Sequence, residues 1–120
     1  MLVAFERVMD AFAGKYQALV AALLPRVGRL IVCTIYEVPL SDALSARLVR
    51  VALAPFNDRI IRAAGHFAAD VIDLRSVCTG PADFVPQIEP SETGARKIAE
   101  AIHRALGGGD TGASVRLFTS

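Results

Sequence analysis

"RLIVCTIY", residues 29–36, runs from Leu30 to Ile35 without a charged side chain and with Thr34 as its one hydroxyl. A strand with one wet face alternates apolar and polar positions, whereas an unbroken apolar and β-branched run suits a strand covered on both faces. Strands of that kind belong to parallel sheets, because the crossovers between parallel strands lay helices over the sheet. The stretch therefore points to an α/β fold before any other segment is read.

The flanks agree with it. Upstream, Leu2, Phe5, Val8, Met9, Phe12, Tyr16, Leu19, Val20 and Leu23 recur at the three- and four-residue spacing of an amphipathic helix, which Pro25 and Gly28 end. Downstream, "SDALSARLVRVAL" (41–53) reads as a helix capped by Ser41, and Pro55 predicts a break before a second helix over 55–68. "DVIDL" (70–74) follows as a second short buried strand, with Asp73 read as a paired structural acid. Strand, helical crossover and strand make a right-handed βαβ unit. A last helix over 92–106, capped by Ser91 behind Pro90, buries Ile98, Ile102, Ala105 and Leu106 and stops at Gly107.

Open parallel sheets place ligands beyond the carboxyl ends of their strands. Here those ends are Glu37, a candidate substrate-binding residue, and the loop from Arg75 to Pro90. Two strands are too few for a stable sheet. Either another chain adds strands, or the sequence is one half of a larger α/β domain. The tail 107–120 is rich in glycine; its "GGGDTG" fits a dinucleotide fingerprint in letters alone, since it follows a helix rather than a strand, and it reads as a linker before a short edge strand in "SVRLF".

At 120 residues there is room for one domain, read as 1–106 plus the tail. Thirteen basic against twelve acidic residues give a net charge of +1, which excludes a strong pull on nucleic acid or anionic lipid. Arg47, Arg50, Arg59 and Arg62 recur at helical spacing as a solvated face, with no interleaved aromatics for base stacking. Mean hydropathy is +0.44, yet the longest apolar run, Ala18–Pro25, is too short for a bilayer, and Glu6, Arg7 and Asp10 interrupt any signal-peptide core. A cytoplasmic location is the expectation. Cys33 and Cys78 then read as reduced, buried thiols, and with His66 and His103 they match no zinc spacing, so neither metal nor cofactor is expected.

None of Ser41, Ser45, Ser76, Ser91, Ser114 and Ser120 lies in a nucleophile turn, and no histidine stands at a recognisable spacing from them. A self-contained Ser-His-Asp site has no support in the sequence.

"LIVCTIYE", "FNDRIIRAA", "VIDLRSVCTGPADF" and "IEPSETGARKIAEAI", in that order, resemble the C-terminal half of the SGNH/GDSL hydrolase family, bacterial esterase-like members above all. The resemblance implies a three-layer α/β/α sheet of flavodoxin-like type, of which this chain supplies the last two strands. It also implies carboxylic ester hydrolysis through an acyl-enzyme. In the family an Asp-x-x-His motif followed by Pro-Ser, two residues and Gly precedes the last helix. Pro90, Ser91 and Gly94 match it, but the histidine falls on Glu89 and the aspartate on Pro86. Asp83, three residues further back, would need a different loop path to serve.

The family's Gly-Asp-Ser nucleophile, oxyanion glycine and Gly-x-Asn-Asp asparagine precede the matched region, and Asn57 in "FNDR" lacks the preceding glycine. Glu89 as a base would begin about two pKa units below histidine, and a helix N-terminus depresses a carboxylate further. Two readings of Glu89 stay open: a carboxylate complementing the N–H groups of Ser91–Thr93, or a group that orients water or a polar substrate. Asp83 carries the same choice between loop cap and catalytic acid. The expectation for the chain alone is an inactive esterase relative, a complementing half for a partner chain or second copy that brings the nucleophile and a small ester, or a remnant without function.

Overall fold

The computed structural model describes residues 2–85, 89–107 and 117–119. Helix α1 (Leu2–Leu23) passes through a 3₁₀ turn at Leu24–Arg26 into β1 (Ile31–Cys33). Helix α2 (Ala43–Phe67) crosses to β2 (Asp70–Ile72), the four-residue α3 (Leu74–Val77) and a 3₁₀ turn at Pro81–Asp83 follow, and α4 (Glu92–Gly107) precedes β3 (Leu117–Phe118). The sheet has the order β1-β2-β3 with both pairs parallel.

The strands are apolar on both faces because each face meets a helix. Ile31, Cys33, Ile72 and Phe118 pack with Ala101 and Ala105 of α4, while Leu30, Val32 and Val71 pack with Ile61 and Ala64 of α2. Helix α1 lies against α2, where Phe12 meets Phe56 edge-to-face at 5.0 Å and Phe5 meets it at 6.4 Å. The mixed α/β character read from residues 29–36 is therefore present.

Several expected boundaries move. Residues 43–67 form one helix, not two, with Pro55 inside it. Proline forgoes the bond to the carbonyl of Val51, a residue that is exposed, and the cost is offset by the continuous buried face of Asn57, Ile60, Ala63 and Ala64 beyond it. The cap of α2 is Asp42 rather than Ser41, since its carboxylate accepts from the Ser45 N–H at 2.8 Å and from the Ser45 hydroxyl. Asp73 is not inside the second strand but caps α3, accepting from the Arg75 N–H. The short edge strand expected in "SVRLF" is present as Leu117–Phe118, which adds to the far edge of β2 as a third strand, with the Asp73 N–H donating to the Phe118 carbonyl at 2.7 Å. Of the "GGGDTG" glycines, Gly107 ends α4 and the rest lie outside the described residues.

Two side chains fix the ends of the sheet. At the amino ends, the Arg29 guanidinium donates Nε and Nη2 to Asp70 at 3.0 and 2.7 Å, and also reaches the carbonyls of Ala105 and Leu106. The cation thereby complements the C-terminus of α4, whose N-terminus must lie at the carboxyl ends. At those carboxyl ends Asn57, fully buried, accepts from the Ile35 N–H at 2.7 Å and donates Nδ2 to the Ile35 carbonyl at 3.0 Å.

Candidate functional site

The carboxyl ends of β1 and β2 are joined by a small polar network. Thr34, buried directly after β1, donates its hydroxyl to Asp73 Oδ1 at 3.0 Å and accepts from the Leu74 N–H at 2.9 Å. Asp73 also takes Nε and Nη2 of Arg75 at 2.8 and 2.9 Å, one per carboxylate oxygen. Burial works to raise the Asp73 pKa, but the bonds from Arg75 and Thr34 and the Arg75 charge outweigh it and hold the group below the usual carboxylate range. Asp73 is thus a fixed anion that aims a guanidinium.

The loop into α4 is built on Asp83. Its carboxylate is buried, at 1% exposure, and Oδ2 accepts from the N–H groups of Thr79 and Gly80 at 3.0 and 3.2 Å. Oδ1 lies 2.8 Å from Lys97 Nζ in an ion pair outside hydrogen-bonding geometry. The Lys97 ammonium, opposed by burial and assisted by those two N–H groups, holds the Asp83 carboxyl below its ordinary range. The Asp83 carbonyl accepts from the Ser91 N–H, and a bridge between Phe84 and Pro90 with Val85 N–H donating to the Glu89 carbonyl closes the loop.

Pro90, Ser91 and Gly94 each have a local reason. Ser91 donates its hydroxyl to the Ala82 carbonyl at 2.6 Å and accepts from the Gly94 N–H at 3.1 Å, capping α4. A Cβ at Gly94 would stand 2.0 Å from the Asp83 carbonyl oxygen, so only glycine lets the helix approach the loop.

The three candidate residues fall in different settings. Asp83 is a buried loop-capping acid. Glu89 is exposed, and its carboxylate makes no hydrogen bond or ion pair among the described residues; the N-cap role belongs to Ser91. No hydrogen bond or ion pair joins the two carboxylates. Glu37 accepts from Arg50 Nε at 3.2 Å and lines a cleft of about 310 Å³ with Arg50, Arg75, Cys78, Thr79 and the apolar Val38, Pro39, Ala46 and Val49.

Three of the serine hydroxyls are engaged elsewhere. The hydroxyls of Ser45, Ser76 and Ser91 donate to Asp42, the Asp73 carbonyl and the Ala82 carbonyl. His66 stands edge-on to Phe67, and His103 lies on the exposed side of α4. Burial pushes both thiols up, so Cys33 and Cys78 are poor thiolates. Among the described residues no group of three or more His, Cys, Asp or Glu could hold a metal ion. No helix among them is long and apolar enough to cross a membrane.

No family model, curated protein or solved structure matches this chain. Sequence reasoning missed Asn57 and Lys97. The signal for Asn57 was a lone polar side chain one turn before Ile60 and Ile61 on an inward face; for Lys97 it was the position one turn after Gly94 on the helix that abuts Asp83.

Proposed function

We propose that this chain is a module of the SGNH/GDSL ester-hydrolase type, with the α/β/α flavodoxin-like layering of that family, which has no esterase turnover of its own. The observation that carries the reading is the contact of Gly94 with the Asp83 carbonyl beneath the Ser91 cap. Pro90, Ser91 and Gly94, on which the resemblance rests, are the residues that shape the turn into the last helix.

On this reading Glu89 stands in the family's histidine position as an exposed carboxylate. Asp83, consumed by Lys97 and two backbone N–H groups, is structural. The chain then acts by docking to a chain that bears the Gly-Asp-Ser segment, in a reducing, cytoplasmic setting that leaves Cys33 and Cys78 as thiols. Leu44, Leu48 and Val51, a stripe on α2 exposed by 60 to 67%, and the outward backbone groups of Ile31 and Cys33 favour such a partner.

The test uses a short-chain nitrophenyl ester and a fluorophosphonate. Purified chain alone should give background hydrolysis and no covalent adduct; a stoichiometric adduct on the folded chain would remove the reading of an inactive module. Mixed with the nucleophile-bearing half of an SGNH esterase, the Glu89→His variant should turn over the ester where the parent chain does not. Silence from both mixtures, with association shown by sedimentation, would sink the family assignment of the 89–94 turn.

A further inference from the structure

The cleft at Glu37 holds donors that the fold does not consume. Arg75 spends Nε and Nη2 on Asp73, and Arg50 spends Nε on Glu37; Nη1 of Arg75 and both terminal nitrogens of Arg50 make no other hydrogen bond among the described residues. Thr79 lines the same cleft, its backbone N–H being the group committed to Asp83. Glu37 accepts from Arg50, and its charge adds to the Asp73 bond in raising the Arg75 pKa.

Val38, Pro39, Ala46 and Val49 line the same cleft. A space of about 310 Å³ lined by two arginines and four short aliphatic residues has the size of the smallest ligand pockets. Guanidinium presents paired N–H groups in the plane of a carboxylate, and Arg75 is pre-set by the rigid Asp73 fork, so little freedom is lost on binding.

We propose that the cleft binds a small aliphatic carboxylate, its anion taken by Arg50, Arg75 and Thr79 and its short hydrocarbon body laid against Val38, Pro39, Ala46 and Val49. Glu37 serves as a positioning residue that keeps the Arg50 guanidinium turned toward the cleft. Glu37 and Asp73 already neutralise the two arginines, so the ligand is held by their unused N–H groups and not by an excess of positive charge. The inference does not depend on ester hydrolysis, and its test contains no turnover.

The experiment is titration of the full chain with butyrate, followed by two-dimensional ¹H–¹⁵N spectra that include the arginine Nε–H signals. Saturable shifts confined to Arg50, Arg75, Thr79 and Val49 are expected, with a Kd on the order of 1 mM for so few atoms. Arg50→Gln, at a side chain 65% exposed and safe for folding, should weaken binding about tenfold. Shifts that do not saturate, or that persist unchanged in Arg50→Gln, overturn the site. So does equal binding of chloride, which would show a general anion effect. Preferential binding of butylamine would overturn it as well, by making Glu37 the recognising group. An ester-hydrolysis mixture that fails while butyrate binds leaves this inference standing and removes only the family reading.

Discussion

The backbone of Gly94 approaches Asp83 so closely that a methyl group on it would lie 2.0 Å from the Asp83 carbonyl oxygen. That oxygen is committed to the Ser91 N–H and cannot retreat without opening the loop. Gly94→Ala should therefore destabilise the chain by about 3 kcal/mol through overpacking, read as a lower urea midpoint at unchanged slope. Gly65, exposed in α2 with nothing within 4 Å of its virtual Cβ, gives the opposite sign: Gly65→Ala should stabilise by about 0.5–1 kcal/mol. Equal effects at the two glycines would mean that the loop and helix do not touch.

Asn57 is expected to be the most sensitive polar residue of α2. Removing it in Asn57→Ala strips both the Ile35 N–H and the Ile35 carbonyl of their partner and leaves a void on a fully buried face, at a cost of about 2 kcal/mol or more. Asn57→Asp keeps the acceptor and loses the donor. Amide exchange at Ile35 reports on this directly: the first variant should lose its protection, and retained protection would remove the clasp.

The Asp83 carboxyl has a pKa below its unfolded value of about 3.9, and Asp73 shares the direction. A depressed folded pKa contributes stability that is fully present above the unfolded value and is lost as pH falls through the folded one. The chain should thus hold its stability from neutral pH down to about 4 and lose it below. Asp83→Asn should be less stable at neutral pH, and its deficit should shrink in acid as the parent carboxyl protonates. Because Asp73 titrates in the same window, the variant flattens part of the acid limb and not all of it. A deficit independent of pH would mean that the Lys97 pair contributes nothing.

The sheet and its flanking helices were legible because an apolar run is a simple pattern: within Leu30–Ile35 the strand is Ile31–Cys33, half-buried between helices, while Ile35 is exposed, and α1 and α4 fall within a residue or two of their spacing. Pro55 misled because a missing N–H is a local signal, whereas the buried ladder from Asn57 to Ala64 that carries the helix on past it is tertiary. Asp73 misled for a similar reason. Its side chain serves Arg75 two residues on and Thr34 thirty-nine residues back, and no local pattern separates a strand acid from the cap that follows a strand. Of the candidate residues, Glu37 was found from the position of a strand end, while the burial of Asp83 and the exposure of Glu89 depended on a loop path set by Gly94.

Arg29 bears on the order in which the chain folds. Its guanidinium joins residues 41 and 76 positions further along, so the contacts that secure the amino ends of the sheet close only when α4 has returned. Loop closure over such separations is entropically slow, and partners so distant in sequence place this step late on the folding route. During synthesis an emerging chain that has reached Asp70 holds its acid and base in hand but has no helix end to dock. Completion has to wait for Ala105 to clear the ribosome, and until then the apolar face that α4 covers stays open to chaperones.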